Sequence, residues 1–200
     1  KPLDLGADIV MHSATKYLSG HSDVIAGALI VNDDELGKKL YFQQFATGAI
    51  LGPMDSYLVL RGIKTLHLRM QRHCENGQKV AEFLENHPKV KKVYYPGLKG
   101  NSNHEIEKKQ MRGFGGMVSF TFASGKKEEA ISFLEKIKLF TLAESLGGVE
   151  SLASYPVLMS HASIPEEKRK EIGVTCDLVR LSIGIEDQED ILEDLKQALS

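Results

Sequence analysis

Long apolar runs, numerous cysteines and an excess of one charge are all missing from this sequence. No apolar run approaches the length that crosses a bilayer, and no signal peptide is visible. Cys74 and Cys176 form neither a disulfide framework nor a zinc site at that separation, and His12 and His21 lack the spacing of metal ligands. The 25 Lys and Arg residues nearly balance the 27 Asp and Glu residues, which argues against nucleic acid and anionic membrane as partners. We therefore expect a reduced, cytoplasmic protein without a metal site.

An initiator methionine is also missing. The chain opens on KPLDLGADIV, and strand-like apolar character begins within a few residues. We therefore expect this sequence to be the later part of a longer protein. Its 200 residues, 42% of them hydrophobic, suffice for one sizeable core or two modest ones.

What is present is an alternation of strand and helix patterns without repeats or low-complexity tracts. Buried strands are predicted over 7–13 and 24–31, and one long amphipathic helix over about 65–86. The other predicted elements are helices over 34–47, 53–61 (stopped by Gly62), 126–137, 166–171 and 187–199, and strands over 90–95, 116–123, 139–143 and 178–184. The pattern predicts an α/β protein in which the long helix joins one domain, 1–64, to a small α+β sandwich domain, 65–200.

The stretch SATKYLSGHSD, residues 13–23, carries the first candidate site. Lys16 follows an apolar run, at a predicted sheet edge of the kind where α/β proteins bind ligands. Ser13 and Thr15 flank it with hydroxyls that can donate to an anion such as a phosphate, and Gly20 allows a ligand to approach closely. A lysine amine beside a phosphate suits a Schiff base with an aldehyde cofactor. On spacing alone, a solvated loop lysine is the alternative.

Two further motifs bear candidate residues. In LVRLSIG, strand alternation places Arg180 and Ser182 on the face opposite Val179 and Leu181. An arginine in that position is either a half-exposed surface residue or a buried guanidinium that awaits an anion. The second motif, AESLGGVESL at 143–152, is interpreted from its paired glycines as a plain chain reversal.

Together these segments resemble a known family. ADIVMHSATKYLSGHSDVIAGALIV is similar to the lysine segment of the Cys/Met-metabolism family of pyridoxal-phosphate enzymes. The likeness continues through LGPMDSYLVLRGIKTLHLRM, VYYPGL, GFGGMVSF, KLFTLAESLGGVESLASYPVLMSHASIP and LVRLSIGIED, and so covers essentially all 200 residues. It implies fold-type-I architecture, with the end of the large cofactor domain followed by the C-terminal domain, and pyridoxal 5'-phosphate as cofactor.

The resemblance also implies roles for single residues. Lys16 forms the Schiff base with the cofactor and afterwards moves the proton of the substrate α-carbon, while Ser13 and Thr15 hold the cofactor phosphate. Arg180 binds the substrate α-carboxylate, a task that suits a bidentate guanidinium better than an ammonium.

The 143–152 motif takes a role from the same resemblance. Ser145 approaches the cofactor lysine and the substrate carboxylate. Glu144 faces the distal end of the substrate, where relatives that act on methionine carry an apolar residue. Glu144 therefore favours an amino-bearing substrate.

The implied activity is transsulfuration: a carbon–sulfur lyase that splits cystathionine into cysteine, 2-oxobutanoate and ammonia. The alternative is a synthase that joins cysteine to an O-acyl-homoserine, and the non-enzymatic alternative is a C-terminal piece that serves only packing or assembly. The resemblance implies a homotetramer of dimers that share active sites. The family's pyridine-nitrogen carboxylate, ring-stacking tyrosine and partner-donated phosphate contacts lie upstream of Lys16, so we expect weak or no catalysis from this chain alone.

Overall fold

The chain contains both strands and helices throughout, as predicted, and the computed structural model describes all residues 1–200. The chain divides into two compact units, Lys1–Leu66 (unit 1) and His67–Ser200 (unit 2). None of its helices combines the length and the apolar character needed to span a membrane.

Unit 1 is built on a two-stranded antiparallel sheet and two helices. Its elements are β1 (Val10–Ser13), β2 (Gly27–Ile30), α1 (Asp34–Thr47) and α2 (Pro53–Ile63), with a short 3₁₀ turn over Pro2–Leu5. The Asp33 side chain accepts a hydrogen bond from the Leu36 amide and so caps α1.

The predicted burial of the first two strands is wrong. Both strands are shorter than expected, and Met11 and Leu29 are 69% and 56% exposed. The physical reason is that β1 and β2 pair only with each other, so that this chain places no further strand beside them. Continuous apolar runs predict strands with two covered faces, and this sheet does not have them within unit 1.

Unit 2 is a five-stranded sheet with helices. Its elements are α3 (which begins in unit 1 and spans Leu66–Glu85), β3 (Val90–Tyr94), α4 (His104–Gln110), β4 (Met117–Phe122), α5 (Lys127–Lys136), β5 (Thr141–Leu142), β6 (Leu152–Ser154), α6 (Glu166–Glu171), β7 (Leu178–Ser182) and α7 (Gln188–Ala198). The strand order is β3-β4-β7-β6-β5, antiparallel except for β5 and β6. This arrangement confirms the mixed α/β class.

The core of unit 2 lies between this sheet and its amphipathic helices. Its apolar side chains come from α3, from the central strands and from α5 and α7, and include Leu84, Phe120, Phe133, Leu181, Ile191 and Leu195. Because β7 has a neighbouring strand on each side and buried side chains on both faces, it is the most enclosed strand of the sheet.

The predicted apolar stripe along α3 holds only in its second half. Val80, Ala81 and Leu84 are buried, but the apolar Leu66, Met70 and Cys74 of the predicted stripe are only half-buried, and the first half buries polar side chains instead. His73 and Asn76 are completely buried. Their burial is tolerated because a ring nitrogen of His73 and the amide nitrogen of Asn76 donate hydrogen bonds to backbone carbonyls of the segment that follows β7.

Candidate functional site

The lysine segment forms a tight turn at the end of β1. Residues Ala14–Leu18 make one π-helical turn (the lysine turn), and Lys16 interrupts its helical geometry with φ −90° and ψ −129°. Single π-turns are frequent at functional sites. Lys16 is half-buried, and its carbonyl oxygen accepts a hydrogen bond from the Gly20 amide at 2.9 Å, so its backbone belongs to a hydrogen-bonded turn.

Thr15 ties the lysine turn to the start of β2. Its hydroxyl oxygen accepts a hydrogen bond from the Ala26 amide at 2.9 Å and lies 3.3 Å from the Ala26 carbonyl oxygen, to which it donates. Because the longer of these bonds uses the hydroxyl proton, that proton can turn to an anion while the amide still holds the oxygen in place.

Ser13 supplies a second hydroxyl beside the lysine turn. It is the last residue of β1, it is exposed, and its side chain makes no capping hydrogen bond. A primary amine for an aldehyde and two hydroxyl donors for a phosphate are the groups that pyridoxal 5'-phosphate requires. The residues of this turn therefore fit that cofactor.

The lysine turn is packed against α2 through a glycine. A Cβ atom at Gly62 would collide with the carbonyl oxygen of Ser19, directly after the turn. The sequence predicts that Gly62 ends the preceding helix, and this is wrong: α2 continues to Ile63, because the glycine serves a close backbone approach and not termination.

Replacing Gly62 with alanine is expected to lower the free energy of unfolding of the complete protein by about 3 kcal/mol, the upper end of overpacking penalties, because backbone must move. Gly37→Ala is the matched control: its Cβ would lie 3.6 Å from Val31, an ordinary contact, inside α1. Denaturant titration of both variants checks the prediction. Equal midpoints would show that the close approach at Gly62 has no energetic consequence.

The second group of candidate residues is centred on Arg180 in β7. Its side chain is half-buried, with Nε donating to Ser154 Oγ at 3.1 Å and Nη2 donating to the Ser145 carbonyl oxygen at 3.4 Å. Burial lowers the pKa of Arg180, and the negative charge of Glu144 opposes that shift. Two hydrogen bonds therefore hold this half-buried guanidinium in place at the sheet, and its role in binding a carboxylate stays a prediction.

The 144–151 loop is more than the plain reversal suggested by its glycines. Ser145 has φ +89°, a conformation that costs energy for a residue with a side chain and that clusters at binding sites. Gly147 donates its amide hydrogen to Ser182 Oγ at 2.8 Å, so that the loop is bonded to the same strand as Arg180. Glu144 is exposed.

The structure thus brings the predicted residues together in two groups. Unit 1 holds Ser13, Thr15 and Lys16, and unit 2 holds Glu144, Ser145 and Arg180. Sequence reasoning missed Ser154, which orients Arg180, because β6 has only three residues and no pattern marks it. Ser182 could have been found from the sequence, because strand alternation places it on the same face as Arg180.

Comparison with known proteins identifies the family of the chain. The family described as Cys/Met metabolism PLP-dependent enzyme matches residues 1–200. The chain is 57% identical over 199 residues to cystathionine gamma-lyase of Bacillus subtilis, covering 100% of this chain and 52% of that protein. It is 58% identical over 200 residues to cystathionine beta-lyase of Lactococcus lactis, covering 100% of this chain and 52% of that one.

A solved structure gives the same result for the fold. Cystathionine gamma synthase of Xanthomonas oryzae, in complex with aminoacrylate and cysteine, superposes with a TM-score of 0.95 at 46% identity, over 100% of this chain and 51% of that one. The architecture is therefore that of fold-type-I enzymes that use pyridoxal 5'-phosphate. The chain belongs to the Cys/Met metabolism family of such enzymes. It spans about half the length of the relatives it matches.

Proposed function

We propose that the protein to which this chain belongs is a pyridoxal-phosphate-dependent carbon–sulfur lyase of transsulfuration that acts as a cystathionine γ-lyase. It splits L-cystathionine into cysteine, 2-oxobutanoate and ammonia. Support comes from family membership and from relatives named cystathionine gamma-lyase, such as the one from Bacillus subtilis.

The observation that carries the proposal is the state of Arg180. Its charge is half-buried, a serine hydroxyl and a backbone carbonyl oxygen hold its side chain, and it forms no salt bridge within the chain. A half-buried charge that no carboxylate contacts directly leaves room for an anion that arrives from outside, with the charge of Glu144 acting on it only at longer range. A carboxylate fits the planar guanidinium through two parallel hydrogen bonds, and every amino-acid substrate carries one.

Unit 1 supplies the cofactor side of the proposed site. Ser13 and Thr15 donate their hydroxyl hydrogens to the phosphate, and Lys16 Nζ holds the cofactor and accepts the proton from the substrate α-carbon. When bound, the cofactor supplies an electron sink for the negative charge left on that carbon.

Unit 2 supplies the substrate side. Arg180 binds the α-carboxylate, and Ser145 lies beside it in the 144–151 loop. The exposed carboxylate of Glu144 suits the distal ammonium group of cystathionine, which methionine lacks. We further propose that 1–64 is the end of the large cofactor-binding domain and 65–200 the C-terminal domain, in a cytoplasmic homotetramer of dimers that share active sites.

Two other reactions of the same class are alternatives, because relatives bear their names. One is β-elimination of cystathionine, as in the protein from Lactococcus lactis named cystathionine beta-lyase. The other is γ-replacement that joins cysteine to an O-acyl-homoserine, which the Xanthomonas oryzae synthase suggests. A third alternative, from a different class, is a non-enzymatic role in packing or assembly.

Product analysis of the complete protein separates these candidates. With L-cystathionine we expect cysteine and 2-oxobutanoate in equal amounts. Homocysteine with pyruvate would instead establish β-elimination. Cystathionine formed from cysteine and O-succinyl- or O-acetylhomoserine, at a higher kcat/KM than its cleavage, would establish the synthase. No turnover of L-cystathionine or of cysteine with an O-acyl-homoserine, together with no absorbance of a bound cofactor, would favour the assembly role.

A further inference from the structure

The half-buried carboxylate of Glu186 holds one end of the 144–151 loop. Glu186, in the segment that follows β7, accepts two hydrogen bonds from one residue: Ser151 N donates to Oε1 at 2.5 Å and Ser151 Oγ donates to Oε2 at 2.9 Å. The Gly184 amide donates to the same Ser151 Oγ at 2.9 Å. Ser151 is completely buried, so the bond from the Gly184 amide is shielded from water, while the two bonds to Glu186 are partly shielded.

The segment that carries Glu186 is itself held by α3. His73 Nδ1 donates to the Ile183 carbonyl oxygen at 2.7 Å. Asn76 Nδ2 donates at 3.1 Å to the carbonyl oxygens of both Gly184 and Glu186. Burial is the main cause that lowers the pKa of His73, so its ring is neutral at pH 7 and Nδ1 carries the hydrogen.

The packing of the 183–186 segment against the 144–151 loop leaves no room for a side chain at Gly184. A Cβ atom there would collide with Glu186 Oε2 and with the Val149 carbonyl oxygen. The Ile185 amide also donates to that carbonyl, at 2.9 Å. The 183–186 segment and the 149–151 end of the loop therefore have one closely packed arrangement and little freedom to slide.

We propose that Glu186 is a positioning residue for the substrate carboxylate. Through Ser151 it fixes one end of the 144–151 loop, and the other end presents the Ser145 carbonyl oxygen that holds Arg180 Nη2. Without the Glu186 carboxylate the loop gains freedom, and Arg180 loses one of its two orienting contacts. The inference rests on the proposed function only in taking the ligand of Arg180 to be an amino-acid carboxylate.

The first test is binding to the complete protein with its cofactor. L-Alanine and ethylamine differ only in the carboxylate, and neither carries a group that can be eliminated. The ratio of their calorimetric affinities therefore measures the carboxylate contribution without turnover. We expect Glu186→Gln to reduce this ratio about tenfold, and Glu186→Asp to restore part of it. Glu193→Gln, the same charge change at an exposed position of α7, should leave the ratio unchanged.

The second test follows the loop directly. Hydrogen exchange at the Ser151 and Gly184 amides should accelerate in Glu186→Gln and not in Glu193→Gln. If Glu186→Gln does not fold, Ser151→Ala removes the Oγ bond to Glu186 while keeping the amide bond, and it should lower the affinity ratio in the same direction by a smaller factor. A lower melting temperature with an unchanged affinity ratio would overturn the proposal, since it would show a structural role alone. A wild-type protein that prefers L-alanine to ethylamine but does not cleave cystathionine would refute the proposed lyase and leave this inference standing.

Discussion

Replacing Lys16 with alanine is expected to abolish turnover of cystathionine by the complete protein while the fold persists. The variant loses the amine that holds the cofactor and the base that takes the α-proton, and positioned proton transfer alone contributes about 10²–10⁴-fold. The cost in stability should be small, because Lys16 is half-buried and does not belong to the hydrophobic core.

Lys39→Ala is the matched control for this experiment. Lys39 is an exposed lysine of unit 1, within α1, so its loss changes the net charge in the same way without touching the lysine turn. Steady-state rates, thermal midpoints and the visible absorbance of bound cofactor should be measured for both variants. Retention of near-normal activity by Lys16→Ala would refute its assignment as the cofactor lysine.

The strongly periodic parts of the sequence predicted the fold well. The helices over 34–47, 126–137 and 187–199 were placed within about two residues, because each has a clear apolar face or a capping residue. The sequence did not predict the short elements, which have no periodic pattern. α4 has seven residues and β6 has three, too few to build a periodic signal.

Within the candidate site, the sequence predicted the residues proposed to bind cofactor and substrate, and it missed the residues that hold them in place. Lys16 and Arg180 stand out because a charged side chain next to an apolar run is unusual. Ser154, Ser151 and Glu186 do not, because their importance lies in contacts with residues about 26 to 35 positions away. Such contacts exist only after the sheet has formed, so no local spacing announces them.

Arg180 is the residue whose substitution tests the substrate side most sharply. Arg180→Lys keeps the charge but loses the planar pair of donors, and Arg180→Ala loses both. Charge-assisted hydrogen bonds are worth about 1.5–3 kcal/mol each. The loss of one or two should therefore lower kcat/KM by about one to four decades, at 1.36 kcal/mol per decade, with alanine the more severe change.

The pattern across substrates matters as much as the size of the effect. Because every amino-acid substrate carries the same α-carboxylate, the fall in kcat/KM should appear for all of them, while the absorbance of bound cofactor stays unchanged. Arg112→Ala, at an exposed arginine of the same unit, is the matched control and should keep wild-type rates. If Arg180→Ala instead released the cofactor and left substrate affinity intact, Arg180 would belong to the cofactor site, and the pairing of unit 2 with the substrate carboxylate would be wrong.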